Sequence, residues 1–163
     1  MIAPTSFFLD YGCHVRILEE TQALLAQGMA VRIATYYMGR DWPGLDIVRS
    51  APTPWRADYE VGSSRHKIAF DAYLAVKAAT EARRFRPDVI HGHMHEGALI
   101  GGALARARGV PLVFDFQGSL TAEMVDHHFL NPHGALYPLA YRLESAITRG
   151  LPDALLTLSL LTL

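Results

Sequence analysis

Short apolar runs alternate along the chain with longer amphipathic stretches. Ala30 to Tyr37 (AVRIATYY), Asp88 to His93 (DVIHGH), Pro111 to Phe116 (PLVFDF) and Asp153 to Leu158 (DALLTL) are rich in β-branched, aromatic and aliphatic side chains. They lack clean polar alternation, which predicts strands buried on both faces, as in a parallel sheet. Met1 to Pro4 reads as the last residues of a further strand. Four helices are predicted between these runs. From Cys13 to Gln27, Ile17, Leu18, Thr21, Leu24 and Leu25 recur at spacings of three and four, with Arg16, Glu19, Glu20, Ala23 and Gln27 on the other face. Gly28 follows where a left-handed residue ends a helix. Ile68 to Phe85 is a second helix, with Ala72, Val76, Ala79 and Arg83 on one line, and Pro87 prevents its continuation. Gly97 to Arg108 is a third, closed by Gly109, whose small residues allow close approach to a sheet. Leu136, Leu139, Leu143 and Ile147 mark a fourth. The stretch Gly39 to Ser64, with Pro43, Pro52, Pro54 and both tryptophans, reads as a long surface loop with one short strand at Ile47-Val48. Strand–helix alternation of this kind predicts an α/β fold, a Rossmann-like doubly wound parallel sheet. Ligands in such sheets bind beyond the carboxyl ends of the strands.

Composition narrows the classes. The chain has 163 residues, the size of one domain. Lys plus Arg number 15 and Asp plus Glu 16, so the net charge is 15 − 16 = −1. That balance gives no overall attraction to nucleic acid or anionic lipid, and no nucleic-acid partner is expected. Half the residues are hydrophobic, which argues against disorder. The single cysteine, Cys13, excludes an internal disulfide framework and a multi-Cys zinc site, and suits a reducing compartment. No apolar run approaches the roughly 20 residues that span a bilayer. The apolar ends, at Met1 and over Leu155 to Leu163, read as those of a fragment.

Candidate chemistry gathers at the predicted strand ends. After the first strand come Asp10, Tyr11 and Gly12, with Cys13 opening the helix. A glycine before a helix lets backbone approach a ligand, and the exposed amides favour an anion; an ordinary strand–helix turn has the same look. The three-glycine dinucleotide fingerprint and the P-loop are both missing, so a dehydrogenase is disfavoured. Next stands His91-Gly92-His93-Met94-His95-Glu96. Alternate residues on a strand share a face, so the three histidines could present a zinc site with an open position. Against this, a sheet-core His91 with His93, His95 and Glu96 lining a polar crevice explains the same pattern. Leu99 also stands where the helical zinc motif needs its second histidine. Third is Phe114-Asp115-Phe116-Gln117-Gly118-Ser119, where Asp115 and Gln117 lie at a strand terminus and Ser119 suits an N-cap. Glu123 and Asp126 follow at one-turn spacings and fit a solvated helix face equally well. His127, His128 and His133 read as surface residues, and Cys13 beside His14 makes no dyad by adjacency alone. No G-x-S-x-G elbow is present.

Several of these segments together resemble the N-terminal, acceptor-side domain of glycosyltransferase family 4 enzymes of GT-B fold. They are TSFFLDYGCHVRILEETQALLAQGMAVRIATY, RPDVIHGHMHEGALIG, GVPLVFDFQGSLTAEMVDH and the terminal PDALLTLS. The resemblance covers nearly the whole chain, as an ordered set with about the right separations. It implies that residues 1–163 form one Rossmann-like domain of a two-domain enzyme, the C-terminal donor-binding domain lying outside this chain. It implies transfer of a sugar from a nucleotide-diphosphate sugar to an acceptor hydroxyl with retention, and no cofactor or obligatory metal. The fragment alone would be inactive. Tyr11, Gly12 and Cys13 match the loop that approaches the donor phosphate or sugar, and Arg16 and Glu20 match the helix behind it. Arg16, His93, His95, Glu96, Ser119 and Glu123 fall at the cleft and acceptor side. Asp115 and Gln117 occupy the catalytic strand end, where many relatives carry a histidine. Gln117 can hydrogen-bond a sugar hydroxyl but cannot titrate.

The acceptor could be a glycan, a lipid or a small molecule. A cytoplasmic location is expected, peripheral to the membrane if the acceptor is a lipid. Two other functions fit the residues alone. One is a metal-dependent hydrolase built on His91, His93 and His95. The other is a non-catalytic Rossmann-like binding module whose apolar tail meets a partner.

Overall fold

The computed structural model of the chain describes residues 1–9, 11–54 and 67–158. Six strands form one parallel sheet: β1 (Ile2–Ala3), β2 (Arg32–Thr35), β3 (Asp46–Arg49), β4 (Ile90–His93), β5 (Leu112–Phe116) and β6 (Ala154–Thr157). Their order is β3-β2-β1-β4-β5-β6. The chain winds outward one way from β1 to β3 and the other way from β4 to β6. The boundary between β1 and β4 is therefore the switch point at which open α/β sheets hold ligands. The helices are α1 (Gly12–Ala26), α2 (Lys67–Phe85), α3 (Met94–Arg108), α4 (Leu120–Asp126) and α5 (Tyr137–Gly150).

Side-chain alternation divides the core between the two faces of the sheet. Ile2, Ala34, Ile90 and Leu112 pack with Phe70, Leu74 and Ala78 of α2 and Ala105 of α3. Ala3 and Ile33 face the other way, onto Ile17 and Leu18 of α1 and onto Phe7 and Phe8. Phe114 and Phe116 of β5 join Ala98 of α3 and Ile147 of α5 in a third cluster. Gly28 (φ +81) ends α1 and Gly109 (φ +67) ends α3, both in the left-handed region expected of them. Ser119 caps α4, its Oγ accepting from the Ala122 N–H at 3.1 Å.

Three readings are corrected. The buried line of α2 is Phe70, Leu74, Ala78 and Glu81, whereas Ala72, Val76 and Arg83 are exposed. Glu81 can sit inward because Arg32 Nη1 and Lys77 Nζ reach it at 2.9 and 2.8 Å. On α5, Leu136, Leu139 and Leu143 are all at least 60% exposed, and Glu144 and Ile147 are the buried residues. The third helix starts at Met94, three residues before Gly97, because Met94 takes φ +58 and turns the chain out of β4. The short strand in the long loop is present as β3; residues 55–64 of that loop and 159–163 of the tail lie outside the described residues.

The contact of α3 with the sheet is close enough to require glycine. A Cβ on Gly92 would stand 2.5 Å from the Gly97 carbonyl oxygen and 2.8 Å from the Ala98 nitrogen, both backbone. A Cβ on Gly101 would instead meet the Leu112 Cδ1 at 2.9 Å and the Ile90 Cγ2 at 3.2 Å, which are side-chain methyls. Gly92→Ala must push the helix off the strand and is expected to destabilise by about 1–3 kcal/mol. Gly101→Ala gains about 1 kcal/mol of helix propensity against its milder crowding. Urea unfolding of the two variants checks the order; a Gly92→Ala midpoint at or above that of Gly101→Ala would refute it.

Candidate functional site

A buried carboxylate organises the carboxyl end of the sheet. Asp115 lies on β5 opposite His93 of β4 and has no solvent exposure. Its Oδ1 accepts from Arg16 Nε at 2.8 Å and Nη2 at 2.6 Å, a two-pronged guanidinium contact from α1. Its Oδ2 accepts from His93 Nδ1 at 2.9 Å and from the Gln117 amide at 2.6 Å. Burial alone would raise the Asp115 carboxyl, but hydrogen bonds from His93, Arg16 and Gln117 outweigh it and hold the group well below the usual carboxylate range. An ionised carboxylate only accepts, so His93 carries its proton on Nδ1.

A second layer of polar groups stands on the same face. Arg16 also bonds Glu20 Oε1 at 2.9 Å, one helical turn on. Glu20 Oε2 lies 3.5 Å from His91 Nε2 and 3.9 Å from His93 Nδ1. The rings of His91 and His93 stack at 4.4 Å between centroids. Desolvation pushes Glu20 up to about 7, helped by the Asp115 charge and opposed by Arg16. Desolvation, then the neighbouring His93, pushes His91 down to about 3. Both groups favour their neutral forms for the same reason.

His95 leaves this face. It lies in the first turn of α3, its ring 5.4 Å from both Phe114 and Phe116, and its Nε2 is 3.6 Å from Glu144 Oε1. Glu144 of α5 accepts from the N–H groups of Leu120 and Thr121 at 3.0 Å each and from Ser119 Oγ at 3.1 Å. It thereby serves the first amides of α4, where a negative charge is favourable. Beside it opens a cleft of about 430 Å³ lined by Lys67, His95, Glu96, Gln117, Ser119 and Glu123, among others. Lys67 Nζ and Glu96 Oε1 pair across its wall at 2.6 Å.

The expected residues thus fall into three places. Arg16, His93 and Asp115 form the buried hub. His95, Glu96, Ser119 and Glu123 line the cleft. Gln117 belongs to both, its amide held by Asp115 while it contributes to the cleft wall. Tyr11, Gly12 and Cys13 begin α1 and are not among the residues lining the cleft; Asp10 lies outside the described residues. The expected sharing of one face by His91, His93 and His95 is corrected, because the helix begins before His95 and carries it to the other side of the sheet. His14 is a buried structural residue. The Leu9 N–H donates to its Nδ1 at 2.8 Å, and its Nε2 meets Thr5 Oγ1 at 2.5 Å. Glu144 and Lys67 were not singled out by sequence. Their partners lie 24 and 29 positions away in the chain, beyond any local spacing rule.

The opposed neutral groups make stability pH-dependent. His91 titrates near 3 folded and near 6.5 unfolded, so between those values the unfolded chain holds the extra proton and acid destabilises. Glu20 titrates near 7 folded and 4.5 unfolded, so its contribution is complete below 4.5 and is lost as the pH rises to 7. The two slopes oppose each other from about 4.5 to 6.5, and below 4.5 that of His91 acts without Glu20. Relative to His91→Gln, the wild-type chain should lose stability progressively below pH 6.5, by up to about 1.4 kcal/mol per pH unit. Urea midpoints from pH 4 to 7 check this; parallel curves for the two proteins would contradict it.

The glycosyl transferase 4-like domain family matches residues 11–161, nearly the whole described sheet. No curated protein matches the chain. The match takes in the uncapped start of α1 together with the His-Gly-His strand, the Asp-Phe-Gln strand end and the final strand, the three strands lying in one parallel sheet. The chain belongs to the glycosyl transferase 4-like domain family.

Proposed function

We propose that the chain is the acceptor-binding half of a retaining glycosyltransferase, moving a sugar from a nucleotide-diphosphate sugar to an acceptor hydroxyl. The observation that carries this reading is the position of Gln117. Its amide is fixed by the Asp115 hub and presented at the wall of a polar cleft beyond the strand ends, beside His95, Glu96 and Ser119. A cleft lined by hydrogen-bonding groups of both polarities suits hydroxyl-rich ligands. Asp115 itself is sealed from solvent with both oxygens engaged, so it is a positioning residue and Gln117 is the group that touches substrate.

The start of α1 provides the anion-facing element. Tyr11 gives no side-chain cap, no acidic residue stands in the first turn, and no atom lies within 4 Å of where a Gly12 Cβ would be. The positive end of the α1 dipole, beside the open space where a Gly12 Cβ would stand, favours a diphosphate oxygen there. Retention here rests on positioning and on stabilising the departing diphosphate, with no titrating group required of Gln117. The donor nucleotide is held by a second domain, and the isolated chain does not turn over. The acceptor is a glycan, lipid or small molecule, met in the cytoplasm.

The test is acceptor-dependent release of nucleoside diphosphate from a panel of nucleotide sugars, using the protein that joins this domain to its donor-binding half. The product should keep the donor's anomeric configuration by NMR. Gln117→Ala should lower kcat/KM by about 10- to 100-fold, the loss of one or two substrate hydrogen bonds, and should also lower the unfolding midpoint, because it removes a donor to the buried Asp115 carboxylate. An inverted product would overturn the retaining reading, and undiminished kcat/KM in Gln117→Ala would overturn the role given to that residue.

A further inference from the structure

Glu20, His91 and His93 carry three buried polar atoms with no assigned task. Glu20 Oε2, His91 Nε2 and His93 Nε2 all lack a hydrogen-bond partner while being closed to solvent. Unpaired buried polar atoms are uncommon in folded proteins, and three on neighbouring side chains call for a ligand. The three side chains each offer one ligand atom, all within 4.8 Å of one another. Their elements are fixed independently: Glu20 by Arg16 on α1, and the histidines by alternate positions on the central strand β4.

We propose that Glu20, His91 and His93 bind a divalent transition-metal ion of the zinc class, bridging α1 to β4. Two imidazoles and one carboxylate are a donor set that zinc accepts, and three protein ligands leave a fourth position open. Metal–ligand bonds of about 2.0–2.1 Å put two donors on a tetrahedral ion about 3.3 Å apart. The Glu20 Oε2 to His91 Nε2 separation is 3.5 Å, close to that value and too long for a good hydrogen bond between the two. His93 is oriented as zinc-binding histidines commonly are, with Nδ1–H given to a carboxylate and the lone pair left on Nε2. Access comes through a cavity of about 860 Å³ that runs past the amino ends of the strands and has both Glu20 and His91 in its wall. The proposal does not depend on sugar transfer.

The experiment uses the 163-residue chain, stripped with chelator and then given zinc or cobalt(II) near neutral pH. One zinc per chain should survive desalting by elemental analysis, and cobalt should give the intense visible bands of a low-coordinate site. Glu20→Gln and His91→Gln, each confirmed folded by circular dichroism, should weaken zinc binding at least tenfold and abolish those bands. His133→Ala, in the exposed Asn131–Gly134 turn, should bind like the parent. Failure of the parent to retain zinc would overturn the proposal. So would zinc that binds Glu20→Gln and His91→Gln as tightly as the parent, since that metal would sit elsewhere.

Discussion

A carboxylate with no access to water has to be matched in full, and Asp115 sets that condition for the whole upper end of the sheet. Removing an ion from water costs several kcal/mol unless charge and hydrogen bonds replace the hydration. Here the replacements come from three elements at once: a guanidinium from α1, an imidazole from β4 and an amide from the segment after β5. None of the four groups can shift alone without stranding another. The positions of α1 against the sheet, of the His91–His93 stack and of Gln117 at the cleft are thus consequences of one buried charge. Deleting one partner of such a set is more damaging than its net contribution implies, because the remaining charge is left buried.

The strand period decides what each face of the sheet is for. Asp115 and its neighbours Phe114 and Phe116 point to opposite sides, so β5 supplies the polar hub on the α1 face and aromatic packing on the α3 face. β4 does the same with less material. His91 and His93 go to the hub, and Gly92 turns its missing side chain toward α3, whose backbone fills the space. The close seat of α3 in turn brings His95 and Glu96 to the edge of the cleft. Packing and chemistry are therefore set by the same alternation, and a one-residue register slip would exchange them.

Much of the fold was legible because the period of a buried strand and the spacing of a helix are local signals. The six strands, their parallel arrangement and the glycine helix ends follow from such signals. What was not legible depends on pairs distant in sequence. Glu144 reads as a polar residue on an amphipathic helix, yet it is buried, because it serves the first amides of α4. Leu136, Leu139 and Leu143 mark that helix by their spacing, yet they face outward. Glu81 belongs to the inner line of α2 only because Arg32 lies across from it on β2. The three histidines do not share one face for a local reason that spacing alone does not expose: a single residue, Met94, takes a left-handed conformation and ends the strand. Of the site, the residue types at the strand ends were visible, while the division between hub and cleft was not.

The hub also constrains where positive charge is available for catalysis. Arg16 is committed to Asp115 and Glu20, and Lys67 is paired with Glu96. Neither cation can leave its partner for a phosphate without exposing a carboxylate in or beside the same cleft, and that carboxylate would repel the phosphate. Backbone amides carry no such obligation. The start of α1, with no capping side chain and no acidic first turn among the described residues, is an electropositive element. On the proposed reading, a diphosphate leaving group meeting this domain would be steadied by fixed dipoles.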